Sequence, residues 1–276
     1  MSAMSREPLW RQVGRQTLWG KRGPAKTGTL WLPLATVLAL GPADQMPGAW
    51  RAGIVLFAAS VLRTVGTILA NDLTDRAEDT AAGKRRWIAQ LPWATGTGVV
   101  VGVLALGFAL LLLGGGNATA LAAYGSAMAL GLVYSLPPLR LKGRGLVGML
   151  AYGACCACAY AVLPAAWFRA TWQVLALTTA VVFCDRWVNL HFHQILDCEA
   201  DASRGCRTFV VRLGPGSARR LLSPAALVAS ATFLALLGVL ASASSPVGSA
   251  AVLATCAASL AAAWHARASR RGDSGT

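Results

Sequence analysis

Eight apolar stretches, most of them close to the length that crosses a lipid bilayer, constrain this chain more than any other feature. They run over residues 27–42, 50–70, 94–113, 118–136, 146–168, 172–192, 221–240 and 247–264. A spanning helix needs about 20 mostly apolar residues. Inside lipid the backbone polar groups must pair with one another, which leaves helices or closed barrels, and runs this long without strand-like alternation indicate helices. The composition agrees: 13% of residues are charged, against roughly 25% in a soluble domain. The sequence predicts an all-α, polytopic transmembrane bundle. The stretch 27–42 is the shortest and ends in Gly41-Pro42.

A net charge of +14 would suggest nucleic acid in a soluble protein. Here the distribution of cations explains it. The segments before the first stretch, after each even-numbered one and after the last hold 21 Lys and Arg, while the opposite side holds only Arg51, at the very start of the second stretch, and Arg169. By the positive-inside rule both termini and every even-to-odd loop are cytoplasmic, as in a bacterial-type plasma membrane, and an even span count follows. The expected partner is the bilayer, and no nucleic acid is expected. Three regions result: a basic segment 1–26, a membrane domain 27–264 and a polar tail 265–276. The first segment is polar and basic and lacks a secretory signal. Five of the seven cysteines fall in apolar stretches, where cysteine behaves as a small hydrophobe. Oligomeric state is not legible.

Only 11 residues are Asp or Glu, and seven of them fall in two clusters. Asn71-Asp72-Leu73-Thr74-Asp75-Arg76-Ala77-Glu78-Asp79 closes the second stretch, and Asp197-Cys198-Glu199-Ala200-Asp201 follows the sixth. Both lie on the expected cytoplasmic side. On a continuing helix Asp72, Asp75 and Asp79 would share one face, with Asn71 one turn before Asp75; Asp197 and Asp201 are also one turn apart. Like charges so spaced destabilise a helix unless a cation lies between them. Carboxylate and amide oxygens suit Mg2+, which completes its shell with waters and phosphate oxygens. Asn71, Asp72, Asp75, Asp79, Asp197 and Asp201 are therefore the expected metal ligands of a magnesium-diphosphate clamp. A solvated acidic loop is the alternative, but an acid beside anionic headgroups needs a reason.

A third segment, Tyr134-Ser135-Leu136-Pro137-Pro138-Leu139-Arg140-Leu141-Lys142, closes the fourth stretch on the same side. Its prolines stop the helix. Arg140 and Lys142 are candidates to hold diphosphate oxygens, with Tyr134 donating a hydroxyl; a plain helix stop with positive-inside anchors is the other reading. Arg63 lies eight residues before Asn71 in the second stretch. An intramembrane Arg usually faces a polar cavity, and Asp185 and Arg186 in the sixth stretch invite the same argument. His191 and His193 are expected to border that cavity.

Together these residues resemble the UbiA superfamily of intramembrane prenyltransferases. Asn71-Asp-x-x-Asp-x-x-x-Asp79 is similar to its first signature. Asp197-x-x-x-Asp201 with Arg204-Gly-Cys-Arg207-Thr resembles the second, and the segment 134–142 resembles that of chlorophyll-synthase-like members. The resemblance implies a bundle around a central cavity that receives an isoprenyl diphosphate and Mg2+. Asp72, Asp75, Asp197 and Asp201 would be catalytic through the metal. Arg63, Asn71, Tyr134, Arg140, Lys142, Arg204 and Arg207 would bind substrate. The allylic cation left by departing diphosphate would alkylate an aromatic or other lipophilic acceptor. Members usually have nine spans, against the eight counted here. The Arg-Pro pair found soon after the first signature in quinone-pathway members is replaced by Lys84-Arg85-Arg86-Trp87, which argues against a hydroxybenzoate acceptor. Two alternatives remain: a terpene cyclase using the same site without an acceptor, and a membrane transporter with an acidic ion site.

Overall fold

The computed structural model of the chain describes residues 46–81, 83–84 and 86–242. The stretches 27–42 and 247–264, the segment 1–26 and the tail 265–276 lie outside the described residues. Nine helical elements follow in order among those described. They are α1 (Met46–Thr74), α2 (Arg76–Ala81), α3 (Trp93–Leu113), α4 (Ala118–Ser135), α5 (Leu146–Trp167), α6 (Trp172–Leu196), α7 (Cys198–Ser203), α8 (Phe209–Leu213) and α9 (Pro215–Ser242). Short 3-10 turns lie at Ile88–Gln90 and Leu141–Gly143.

Among the described residues five helices are long and apolar enough to cross a membrane: α1, α3, α4, α5 and α9. They coincide with five of the eight expected stretches. The sixth is also a long helix, α6, but it carries Asp185, Arg186, Asn189, His191, His193 and Gln194, and by composition it does not join the five. Of the eight expected stretches, five are thus spans by length and composition, the sixth is a long helix outside that set, and two lie outside the described residues.

The helices pack α1 on α3, α5 on α4 and α6, and α6 on α9. Glycine permits the close approaches, as in other membrane bundles. At Gly131 of α4 a Cβ would lie 2.7 Å from Thr67 Cγ2 of α1. At Gly107 of α3 it would collide with the Tyr124 hydroxyl, which donates to Ala59 O at 3.1 Å. Tyr124 is fully buried with Leu56, Leu111 and Leu163, forming the core at one end. A second core of Leu69, Leu73, Ile88, Val100 and Leu104 sits under the first acidic segment.

Helix α5 is not regular. Pro164 has no N–H for the carbonyl four residues earlier and crowds it, so Cys158–Val162 widens into a π-turn, with Leu163 N–H bonded to Cys158 O. Asn117 caps α4, its Oδ1 accepting from Ala120 N at 2.8 Å, and its Nδ2 donates to Ala166 O at 2.7 Å. That bond ties the start of α4 to the end of α5.

Candidate active site

The first acidic segment begins at the end of α1 and runs through α2. Although the helix is interrupted at Asp75, Asp75 N–H bonds Asn71 O at 2.9 Å and Asp79 N–H bonds Asp75 O at 2.8 Å, so helical spacing continues. The side chains divide into two stripes. Asp72 and Asp79, both buried, face Arg86, whose Nε lies 3.2 Å from Asp79 Oδ2 and 3.8 Å from Asp72 Oδ1. Asn71, Asp75 and Glu78 face the loop after α4. Lys142 Nζ donates to Asn71 Oδ1 at 2.9 Å and to Asp75 Oδ1 at 2.6 Å, and it also contacts Asp75 Oδ2. Arg140 Nη2 donates to Asp75 Oδ1 at 2.8 Å and to the Glu78 carboxylate at 2.6 Å. The expectation that Asp72, Asp75 and Asp79 share one face is therefore corrected. At 3.6 residues per turn Asp75 lies about 60° from Asp72 and about 40° from Asp79, and its cations draw it to the neighbouring stripe.

Arg140 adopts φ 37°, the left-handed region that a non-glycine residue rarely enters. The turn aims its guanidinium back at α1 and α2. Its hydrogen bond to Glu78 raises its pKa, burial opposes that, and the charges of Asp75 and Glu78 add to the rise. It stays cationic throughout the accessible pH range.

The second acidic segment caps α6 and forms α7. Asp201 N–H bonds Asp197 O at 2.8 Å, so the two carboxylates lie one turn apart as expected. Arg204 turns to its own segment, with Nη2 3.9 Å from Asp201 Oδ1 and Nε donating to Ala200 O at 2.8 Å. Arg207 is exposed, and its carbonyl accepts from Arg212 Nε at 3.2 Å. Neither arginine reaches the first segment's carboxylates.

A parallel bridge between Gly145 and Thr208 joins the loop bearing Arg140 and Lys142 to the segment after Asp201. Gly145 has φ 60°, and a Cβ there would lie 2.8 Å from Arg212 Cδ. Beside this seam, burial pushes the Cys206 thiol up; the charges of Asp201 and Glu78 push it further, opposed by Arg204 and Arg140. One thiol thus feels a carboxylate from each acidic segment, so both occupy the same end of the bundle.

Under that end lies a cavity of about 400 Å³. Asn71, Asp72, Arg86, Tyr134 and Ser135 line its mouth; Arg63, Tyr152, Cys155, Cys156, Tyr160, Arg186, Asn189 and His193 line the rest. Arg63 is only 3% exposed. It donates through Nη2 to Tyr160 Oη at 2.6 Å and Thr64 Oγ1 at 3.1 Å, and through Nη1 to Cys155 Sγ at 3.3 Å. The π-turn carries Tyr160. His191 does not border the cavity as expected: it is buried against Phe209, with ring centroids 5.6 Å apart, whereas His193 does.

Hard oxygen donors suited to Mg2+ are grouped in two pairs, Asn71 with Asp75 around Lys142 Nζ and Asp72 with Asp79 facing Arg86 Nε. Among the described residues, no three His, Cys, Asp or Glu side chains are grouped closely enough to hold a metal ion. Asp197 and Asp201 are not among the cavity-lining residues.

The UbiA prenyltransferase family model matches residues 18–276. The chain belongs to the UbiA prenyltransferase family. A UbiA homologue from Archaeoglobus fulgidus bound to DMAPP and Mg2+ superposes with a TM-score of 0.65 at 17% identity, covering 90% of this chain and 84% of that one. The same organism's homologue bound to GPP and Mg2+ gives 0.61 at 16% identity, covering 90% and 84%. The apo homologue from Aeropyrum pernix K1 gives 0.58 at 20% identity, covering 90% of each chain. These likenesses establish a UbiA fold. No curated protein matches the sequence significantly.

In this UbiA family member, sequence reasoning missed four cavity residues: Arg86, Tyr152, Tyr160 and Asn189. Arg86 reads as one of several loop cations, yet the loop joining α2 to α3 is short enough to hold it against Asp72 and Asp79. Tyr152 and Tyr160 sit in an apolar stretch where the buried Arg63 was the available clue, because a cation in lipid needs partners.

Proposed function

We propose that this chain is a Mg2+-dependent intramembrane prenyltransferase, moving an isoprenyl group from a prenyl diphosphate to an aromatic or other lipophilic acceptor. The observation that carries this reading is the Arg140–Lys142 loop seated on Asn71, Asp75 and Glu78 at the mouth of a membrane-embedded cavity. Family membership supports it, as do fold relatives bound to GPP or DMAPP with Mg2+.

In this reading Asn71, Asp72, Asp75 and Asp79 from one half, with Asp197 and Asp201 from the other, hold the metal. Mg2+ supplies Lewis-acid neutralisation of the diphosphate charge. Arg140 and Lys142 shift from the carboxylates to the diphosphate oxygens and stabilise the charge that grows there, usually the largest catalytic term. Arg204 and Arg207 guard the rim, and Tyr134 and Arg63 line the substrate path. The bond between C1 and the bridging oxygen breaks, and its electron pair leaves with the diphosphate. The acceptor then bonds to C1, and the proton it loses passes to the diphosphate. Cavity walls exclude water, which would otherwise quench the cation.

The bundle has eight spans, with both termini and the acidic segments cytoplasmic in a bacterial-type plasma membrane. Helix α6 is the sixth span. Its Arg186 lines the cavity, the usual way an intramembrane charge is tolerated. Residues 27–264 form the enzyme domain, flanked by the basic segment 1–26 and the tail 265–276.

Membranes containing the protein, supplied with prenyl diphosphates of several lengths and Mg2+, should yield prenylated acceptor by mass spectrometry. A cyclic hydrocarbon formed without acceptor would mark a cyclase instead, and ion flux in liposomes without diphosphate release would mark a transporter.

A further inference from the structure

Arg144 and Arg212 come from distant parts of the chain, and each stands just ahead of a membrane span. Arg144 precedes Leu146, where α5 begins a span of 22 residues, and Arg212 precedes Pro215, where α9 begins another of 22. At 1.5 Å per residue each span is about 33 Å long, enough to cross the hydrocarbon core. Both arginines therefore lie at the depth of lipid headgroups. They also lie together. The bridge between Gly145 and Thr208 joins their segments, and the Arg212 side chain covers Gly145 so closely that a Cβ there would be 3.1 Å from Nε and 3.5 Å from Cζ.

No protein carboxylate neutralises this pair. Arg144 Nη2 donates to Pro138 O at 3.1 Å, and Arg212 Nε donates to Arg207 O at 3.2 Å. Among the described residues neither arginine joins an ion pair. Both are exposed, so most of the five N–H donors on each guanidinium remain for an outside acceptor. The stretches that carry them, 137–184 and 202–242, contain no Asp or Glu. The positive-inside rule accounts for cations near this surface, but not for two that a backbone bridge brings together. Next to them, Leu146, Val147 and Leu150 open α5 with each side chain about half exposed. At spacings of three and four residues they form one apolar face, running from the arginines into the membrane.

We propose that Arg144 and Arg212 bind the phosphate of one anionic phospholipid, whose acyl chains lie along Leu146, Val147 and Leu150. Guanidinium groups match phosphate oxygens with paired, charge-assisted hydrogen bonds. A zwitterionic headgroup would bring its own cation beside two others, so a net negative lipid is preferred. The shared phosphate staples the loop bearing Arg140 and Lys142 to the segment that follows Asp201, and holds the two halves of the candidate site at a fixed spacing. The lipid is thus an activator rather than a substrate. Activation rests on the transferase reading, whereas binding does not.

The test titrates the full-length protein, delipidated in detergent, with phosphatidylglycerol or phosphatidylcholine of the same acyl chains and counts bound lipid by native mass spectrometry. One phosphatidylglycerol should bind about tenfold or more tighter than phosphatidylcholine. Arg144→Gln and Arg212→Gln should each reduce that preference about fivefold, the worth of one cation at a lipid surface, while the charge-matched control Arg220→Gln changes it by less than about twofold. Inorganic phosphate at millimolar concentration should not displace the lipid. In nanodiscs, hydrogen exchange in peptides spanning Gly145 and Thr208 should be slower with phosphatidylglycerol than with phosphatidylcholine, and Arg212→Gln should erase the difference. Equal binding of the two lipids overturns the inference. So does an equal effect of all three substitutions, the mark of a diffuse surface potential, or displacement by phosphate, the mark of a soluble-anion site. Mg2+-dependent diphosphate release should rise with phosphatidylglycerol, and release indifferent to the lipid would overturn the activation. No release in any lipid, with binding and exchange as expected, would instead remove the transferase reading and leave the lipid site standing.

Discussion

Lys142 Nζ lies 2.9 Å from Asn71 Oδ1, across a sequence separation of 71 residues. The same amide oxygen accepts from Ser135 Oγ at 3.2 Å, so Asn71 presents its carbonyl to a fixed positive point. The cation that closes α4 and the amide that ends α1 are thereby one unit, and each acidic or basic residue around them has a restricted direction.

Removing that cation should weaken diphosphate binding more than it disturbs the fold. Lys142→Met is expected to lower kcat/KM for the prenyl diphosphate by about 10²-fold, the usual loss for one group that stabilises developing charge. Initial rates of diphosphate release provide the measurement, and Lys142→Arg should recover part of the activity.

Convergence of the two acidic segments is readable through Cys206. Its thiol is pushed up by burial and then by Asp201 and Glu78, so at pH 8 less thiolate is present than at a free cysteine and alkylation is slow. Glu78→Gln removes one repelling charge and should speed iodoacetamide labelling of Cys206 by about two- to fivefold. Peptide mass spectrometry would follow the modification. An unchanged rate would mean that the first segment does not lie beside the loop after the second.

Tyr160→Phe deletes the 2.6 Å acceptor of the buried Arg63. The loss should destabilise the protein by about 1–2 kcal/mol, within the range for a charged donor left short of a partner. Thermal unfolding in detergent would register a lower Tm.

Much of this arrangement is legible in the chain itself. Alternating Lys and Arg counts, apolar runs and two acid clusters lead to a helical bundle with both acidic segments at one face. The five spans found match expected stretches to within a few residues. What is hidden depends on rotation about helix axes and on loop paths. Asp75 parts from Asp72 and Asp79 because its cations come from a distant loop, which spacing along one helix does not reveal. Arg204 looks like a diphosphate ligand by position, yet a short-range bond from its Nε to Ala200 O turns it to its own segment. Tyr160 reaches Arg63 through a π-turn that follows from Pro164 only once the helix is known to continue past it.

Helix contact sets the remaining limit. Gly107→Ala puts a methyl group into the Tyr124 hydroxyl, which is fixed by its bond to Ala59 O. The expected cost is about 1–3 kcal/mol, typical of overpacking, and a Tyr124→Phe background should relieve part of it. Denaturation of single and double variants would measure the coupling.

The most direct test compares Mg2+-dependent diphosphate release by the unsubstituted protein with that of Asp72→Ala and Asp197→Ala, both checked for membrane insertion. The account predicts that each variant inserts normally and releases no diphosphate from a prenyl diphosphate. Full activity in either one would contradict it, because a metal clamp drawn from both halves of the bundle cannot work with either half removed.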